Sequence, residues 1–464
     1  MNESPATLRP WYTRIGPGLI TACVVIGPGS IMTSSSVGAN KGYSMLWIVI
    51  VSVAFMLVYM TMGAKLGAVS TKSPGNIIRE KVGRWLAILL GCCVFFISAA
   101  FQSGNNIGVA AAFEAFIGSE VIVASLVIGF NLVAIIFLFA FRNLYRMLER
   151  LMMLFVALML ISFAVNLITL RPSLADMARG FIPSAGTIDI AVLGLVGTTF
   201  VITAAFYQAY LVHQKGWDTT EVRSGILDAR VGAVIMALIT VMLMSTAAAG
   251  LYTGSPVTLA NPVAVAEALE PTFGTQGKFI FCLGLFSAAY SSFLINSMIG
   301  GFIVSDGFGL GSEPTDRAPS IMTTIALLTG MSVALAVIIF DFDRTPTIIA
   351  AQAVTVVGAP LVAGILLWLA SSRDIMGSNV NSKTMICFAG IGLLLLIAMA
   401  GDTAINKIPA KIQDYRAKLE STISADGGET NSEPTPDAET TPDAGTTPAA
   451  ETTETSSEDP ASVD

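Results

Sequence analysis

The chain has 464 residues, 54% hydrophobic and 12% charged, with a mean hydropathy of +0.73. An ordinary globular domain carries about 25% charged residues, so a soluble enzyme, a nucleic-acid-binding protein and a disordered chain are excluded, and a polytopic membrane protein fits. The net charge of −7 comes from the C-terminus: eleven acidic residues lie between Asp426 and Asp464, no basic residue follows Lys418, and the rest holds 25 basic against 21 acidic residues.

At about 20 residues per span, the length allows about 11 to 13 spans with their connectors. Eleven apolar segments are readable, at 15–38, 44–68, 85–112, 120–141, 148–170, 190–213, 229–252, 277–305, 318–340, 345–371 and 384–401. The polar residues 1–13 lead into a full-length span, not a short signal with a cleavage site. With the N-terminus in the cytoplasm, sixteen Lys and Arg fall on that side and nine on the other. The positive-inside rule then puts the N-terminus in and, after eleven spans, the C-terminus out.

The first segment carries the main break signal: Gly16-Pro17-Gly18 at its start and Gly27-Pro28-Gly29-Ser30 in its middle. Pro28 removes a backbone donor and clashes with the preceding turn, and the glycines beside it add freedom. The plain alternative is a proline kink. In a bilayer, irregular backbone survives only against protein or a water-filled cavity, where a discontinuous helix offers carbonyls to a cation and amides to an anion.

The third segment contributes Gln102, Ser103, Asn105 and Asn106; the sixth, Thr198, Thr199, Thr203, Tyr207 and Gln208; the eighth, Tyr290, Ser291, Ser292 and Asn296; the tenth, Gln352. Each by itself is explained as a hydrogen bond between helices. No segment has Lys, Arg, Asp or Glu in its middle, where such groups mark proton relays and cation sites. The single histidine, His213, ends the sixth segment and reads as interfacial. No phosphate-binding G-x-x-x-x-G-K-[ST] loop occurs, which disfavours ATP-driven transport. Cys23, Cys92, Cys93, Cys282 and Cys387 lie in apolar runs without zinc-type spacing and read as packing residues. From about residue 420 the chain repeats Thr-Pro-Asp-Ala-type units with few large apolar residues, the composition of a disordered tail.

Three of these stretches resemble one family. GPGLITACVVIGPGS, Gly16 to Ser30, is similar to the first helix of the Nramp divalent-metal transporters, whose pattern is G-P-G followed nine residues later by D-P-G-N. Gly284 to Phe308 resembles that family's G-L-L-A-A-G-Q-S-S-T segment ending in E-G-F, and Ala351-Gln352 through Pro360 resembles its S-Q…P stretch. The likeness runs in order from about residue 14 to 400. It implies an all-α polytopic membrane protein of eleven transmembrane helices. Spans 1–5 and 6–10 would form a LeuT-like pair of inverted repeats, with a midplane site between broken helices 1 and 6. In the sixth segment the sequence offers Gly197-Thr198-Thr199 but no proline.

The departures from the family pattern concern its ligands. Its Asp and Asn fall on Gly27 and Ser30. The Met of its M-P-H-N falls on Val201 when Gly197 and Lys215-Gly216 are aligned without a gap. Its acidic proton-path positions fall on Gln102 and Asn105. Without thiolate, thioether or imidazole, selectivity for transition metals over Mg2+ and Ca2+ should fall. Mg2+ gives up water reluctantly, so a largely hydrated ion in a polar pocket is expected. The magnesium-transporting branch is similar in the Gly-Thr-Thr stretch and the neutral third helix, but keeps more polar donors in helix 1.

The expectation is therefore a secondary transporter of divalent cations of the Mg/Mn type, uncoupled from protons, with no enzyme activity, no cofactor and no nucleic-acid partner. It would sit in the lipid bilayer of a bacterial inner membrane. The alternatives are a transporter of a small organic solute on the same scaffold and a non-transporting membrane receptor. Candidate substrate-binding residues are Ile26 and Gly27 through carbonyls, and Ser30, Thr199, Thr203, Tyr207 and Gln352 through side chains. Gln102, Asn105 and Tyr290 are candidates for lining the route. The expected organisation is a cytoplasmic N-terminus at 1–13, a transporter domain at 14–401 and an acidic Thr/Pro-rich tail at 402–464.

Overall fold

The computed structural model describes residues 16–140, 143–184, 190–257, 259, 262–340, 344–407, 409 and 413. The N-terminal segment 1–13 and nearly all of the expected tail lie outside them. The helix expected to end at 401 runs to Asp402 and continues as a π-helical turn, Thr403–Lys407.

The elements follow the apolar segments closely. The first segment is two helices, α1 (Pro17–Val25) and α2 (Pro28–Lys41), bent by 60°. Then come α3 (Leu46–Val69), the short α4 (Pro74–Lys81), α5 (Arg84–Glu114), α6 (Glu120–Ala140), α7 (Leu144–Thr169) and the short α8 (Leu174–Gly180). The second half has α9 (Ile190–Thr199), α10 (Ile202–Gln214), α11 (Val222–Leu251), α12 (Pro262–Phe308), α13 (Arg317–Ile339), α14 (Arg344–Ser371), α15 (Arg373–Met376) and α16 (Lys383–Asp402). Gly274, at φ +65°, divides α12, and its spanning part is Gly274–Phe308. Among the described residues, nine helical stretches are long and apolar enough to span a bilayer, and eleven spans result when each bent pair counts as one.

The interior is built from α1, α5, α10, α11 and α12, with α12 packed along α5 and α11 against α1, α2 and α3. The periphery is apolar outward: α6 exposes Val121, Ile122, Leu132, Val133 and Ile136, and α16 exposes Leu394 and Ile397, as lipid-facing helices do. Small residues bring interior helices into backbone contact. A Cβ on Gly18 would lie 2.2 Å from Asp228 O, and one on Gly232 would lie 2.3 Å from Gly18 O, so α1 and α11 meet main chain to main chain. Gly63 and Gly67 on α3 meet the carbonyls of Ala205 and Ala209 on α10 in the same way. Close approach of this kind is how helices associate where lipid supplies no hydrophobic drive.

Two buried carboxylates fall just outside the expected spans, because the helices run longer than the apolar windows. Asp228 on α11 accepts from the backbone N–H groups of Gly16 at 2.7 Å and Gly18 at 2.5 Å, an anion on a helix N-terminus. Lys215 pairs with Glu149 at 2.7 Å over the same end of α1. Asp306 near the end of α12 accepts from Ser73 Oγ, Gly75 N and Tyr210 OH at 2.7–2.8 Å, which ties α4 and α10 to α12. His213 is half-buried, 3.4 Å from Glu313. The α1 N-terminal end is thus closed by charge-assisted bonds. At the far end of α2, Asn40 accepts from Val257 N at 2.8 Å and donates to its carbonyl at 2.9 Å. A cavity of about 290 Å³ opens there, lined by residues including Val37, Asn40, Lys41, Ala191 and Ser255.

Candidate functional site

The break in the first span follows from one residue. In a continuous helix, Val24 O would accept from the N–H of residue 28, which is proline and has none. Ile26 N still reaches Ala22 O at 3.2 Å, Gly27 is extended at φ −120° and ψ −176°, and its N–H bonds Val25 O at 3.2 Å. Pro28 then opens α2 at the position where its fixed φ suits a helix start. Side chains satisfy the released carbonyls: Ser292 Oγ on α12 donates to Val24 O at 3.1 Å, and Ser30 Oγ bonds Val25 O.

The sixth span breaks at Phe200–Val201 without proline or glycine. Phe200 N bonds Val196 O at 2.8 Å, while Val201 leaves helical geometry at φ −82° and ψ 87° and caps α10. Two contacts hold the bend. The Phe200 ring is buried against Phe55 and Tyr59, with centroids 6.0 and 5.4 Å away. Thr198 O accepts from Ser30 Oγ at 3.2 Å, and the hydroxyls of Thr33 and Thr198 lie 2.9 Å apart. The two breaks are therefore tied to each other through Ser30, and the first helix of each repeat is interrupted.

The structure brings Ile26, Gly27, Ser30 and Thr199 together at these breaks, and Thr203 follows in the first turn of α10. All are buried, and Thr203 Oγ1 has no hydrogen-bond partner among the described residues. Tyr207 lies one turn further along α10, stacked on Tyr210 at 5.7 Å with its edge on Phe302 at 6.0 Å. Gln352 is on α14, and its side chain lies outside the described residues.

Of the residues expected on the route, Asn105 reaches the first break. A Cβ on Gly27 would lie 3.4 Å from its Oδ1 and 3.0 Å from Ser292 Oγ. Gln102 packs against Gly330 of α13 and reaches the break through Asn105, whose Nδ2 donates to its Oε1 at 3.5 Å. The amides continue from Gln102 O through Asn106 to Asn131 on α6. Tyr290 turns away: its hydroxyl donates to Phe130 O at 3.2 Å inside an aromatic cluster with Phe286 and Phe293.

Sequence reasoning missed Thr198 and Ser292 as partners of the breaks, and Asp228 as the cap of α1. Pro28 was the available signal for Ser292, since an orphaned carbonyl at residue 24 requires a donor from another helix. Among the described residues no three His, Cys, Asp or Glu side chains gather as a metal cluster.

Interruption of the first and sixth spans within an eleven-span bundle is accompanied by likeness in sequence. Residues 18–405 match the family described as Natural resistance-associated macrophage protein-like. The chain belongs to the Nramp family. The Divalent metal cation transporter MntH of Deinococcus radiodurans is 25% identical over 411 residues, covering 86% of this chain and 90% of that protein. A manganese transporter of Eremococcus coleocola, solved with an aromatic bis-isothiourea compound, superposes with a TM-score of 0.75 at 20% identity, covering 92% of this chain and 94% of that one. The fold extends further, to MhsT solved with L-phenylalanine, at a TM-score of 0.54 and 15% identity, over 82% of this chain and 98% of that one. The Nramp architecture of five-plus-five inverted repeats and an eleventh helix is thus the fold of this chain.

Against the Nramp pattern, the aspartate position is more than empty. Where D-P-G-N would place a carboxylate at residue 27, a Cβ would press on Ser292 Oγ at 3.0 Å and touch Asn105 Oδ1 at 3.4 Å.

Proposed function

We propose that this chain is a secondary transporter that moves divalent metal cations across a membrane without a proton relay. Membership of the Nramp family carries the reading, and the paired backbone breaks joined by the Ser30–Thr198 bond support its placement. The cation passes between the carbonyls of Ile26 and Gly27 and the hydroxyls of Ser30, Thr199 and Thr203, with Tyr207 one turn further along α10 and Gln352 supplied from α14. These groups are neutral, and dehydrating a divalent ion among neutral dipoles costs more than they return. The ion therefore keeps much of its water, which favours Mg2+ or Mn2+ over softer ions that depend on sulfur. The amides of Gln102, Asn105, Asn106 and Asn131 replace a chain of carboxylates, so no group on that track takes up a proton.

In a bacterial inner membrane with the N-terminus inside, the closed α1 end faces the cytoplasm and the Asn40 cavity faces outward. Substrate then enters from outside and leaves when α1 swings away from α11. The test is uptake by purified protein in proteoliposomes, comparing Mg2+, Mn2+, Ca2+ and Cd2+ with a pH dye in the lumen. Saturable entry of Mg2+ or Mn2+ at constant lumenal pH is expected. Entry accompanied by acidification would refute the uncoupled reading, and no divalent entry above empty liposomes would refute the cargo. The second reading, a small organic solute, is favoured by the neutral side chains that meet the break among the described residues and by the start of α2 at Pro28, where amide donors suit a carboxylate. Uptake of labelled amino acids by the same liposomes would select it.

A further inference from the structure

We propose that the headgroup of an anionic phospholipid, of the phosphatidylglycerol class, binds where α3, the connector 371–382 and the start of α16 meet. Donors there outnumber acceptors. Lys65 Nζ on α3 donates to Asn381 Oδ1 at 2.9 Å, a neutral partner and its only one among the described residues. Asn381 is 5% exposed, and its Nδ2 has no partner among the described residues. The buried Ser371 hydroxyl at the end of α14 has none there either. α16 begins one residue beyond Asn381. Ser382 caps it by accepting from Met385 N at 3.3 Å, and the N–H groups of Lys383 and Thr384 have no carbonyl a turn earlier to bond. Such a helix start suits an anion. Lys81, Arg373 and Lys383 add cations around it, and Asp374, held by Lys81 at 3.6 Å, is the one acid in 371–385.

The surroundings select a lipid over a soluble anion. The segment Arg373–Asn379 leaves the axis of α14 at 60°. Trp368, exposed one turn before the end of α14, stands at the depth where indole rings gather at a membrane interface. From Lys383 an exposed stripe runs along α16 at helical spacing through Cys387, Ile391 and Leu394. A free anion would use the donors alone. A phospholipid uses both, with its phosphate on Lys65, Lys383 and the helix start and an acyl chain along Ile391 and Leu394. The opposite face of α16 backs the second break. Tyr59 OH donates to Ala389 O at 2.8 Å, and a Cβ on Gly392 would lie 3.1 Å from Phe55 and 3.5 Å from Phe200. A lipid that joins Lys65 to α16 therefore braces the pocket in which Phe200 bends the sixth span. The identity of the cargo plays no part in this site.

The test uses the full chain in nanodiscs, with a bimane label on the exposed Cys387 and the other four cysteines replaced by serine. Phosphatidylglycerol or phosphatidylcholine, each brominated along its acyl chains, serves as quencher. Half-maximal quenching is expected at a mole fraction of phosphatidylglycerol at least about tenfold below that of phosphatidylcholine. Lys383→Gln should cut this preference about fivefold, and Lys65→Gln added to it should abolish the preference. Arg317→Gln removes an exposed cation at the start of α13 and should leave it unchanged. Lys383 is exposed, so its substitution decides the matter even if Lys65→Gln fails to fold. Equal quenching by the two lipids, or a preference that survives both substitutions, would overturn the site. Loss of the preference on adding millimolar inorganic phosphate would overturn the lipid in favour of a free anion. Phosphatidylglycerol is also expected to raise Tm by several degrees in the unlabelled protein and not in the double variant. Equal Tm in the two lipids would overturn the bracing of Phe200.

Discussion

Asp228 caps the N-terminal end of α1, and Asp228→Asn tests whether that cap latches the half-helix. The carboxylate accepts from the N–H groups of Gly16 at 2.7 Å and Gly18 at 2.5 Å in a fully buried setting. An asparagine has one acceptor oxygen, so one of the two amides loses its partner. A buried unsatisfied donor costs about 1–3 kcal/mol, and changing the other bond from charged to neutral costs about 1 kcal/mol. Together these weaken the closed position of α1 by about 2–4 kcal/mol, a factor of about 30 to 900 in its opening equilibrium. Cys23 reports the opening: it is buried inside α1, with its thiol 3.8 Å from Met152 O. In a background with Cys92, Cys93, Cys282 and Cys387 replaced by serine, maleimide labelling of Cys23 in detergent is expected to accelerate by about two orders of magnitude in Asp228→Asn. Asp306→Asn, which loosens α4 from α12 without touching α1, serves as the comparison and should leave the rate nearly unchanged. Equal labelling with and without Asp228→Asn, in folded protein, would refute the claim that this carboxylate latches α1.

Phe200→Ala removes a ring buried between Phe55 and Tyr59 and should cost about 3–5 kcal/mol, seen as a large fall in Tm. Gly232→Ala forces a methyl to within 2.3 Å of Gly18 O and should lower Tm while raising Cys23 labelling, since α1 can relieve the clash only by leaving α11. Gly27→Asp alone should raise metal affinity little, because its Cβ meets Ser292 Oγ at 3.0 Å and the side chain is misdirected. Combined with Ser292→Ala, it should raise Mn2+ affinity at least about tenfold, measured by isothermal titration, since a carboxylate suits a divalent ion better than neutral dipoles do.

The spans were legible because lipid imposes a coarse rule: about 20 apolar residues per crossing. That rule yields all eleven positions, and the break at Pro28 follows from the chemistry of one residue. The second break carries no such mark. Val201 leaves helical geometry because Phe200 finds a pocket between Phe55 and Tyr59, and because Ser30 takes the carbonyl of Thr198, contacts made with residues about 140 and 168 positions away in the chain. Ser30 was legible as a polar residue beside the first break, whereas its bond to Thr198 was not, because the two lie 168 positions apart. Asp228 escaped because hydropathy starts its segment at 229, while the helix starts at Val222. A carboxylate that caps another helix is stabilised by amides that no reading of its own neighbours reveals. Tyr290 has the composition of a pore residue, but its hydroxyl is spent on Phe130 O.

The contact between Gly18 and Gly232 has a consequence for ordering as well as position. Two leucines meeting at that point would each lose about 0.5–1 kcal/mol of rotamer freedom on docking and regain it on release. Two glycines have no side chain to immobilise, so α1 docks on α11 without ordering any side chain at the contact. At this one point the position of α1 is set by main-chain approach and by the directed bonds to Asp228, while the apolar side chains of α1 are held by their burial against α7, α10 and α12. A substitution that adds a side chain at Gly18 or Gly232 would therefore bring an ordering cost to a contact that now has none, besides its clash.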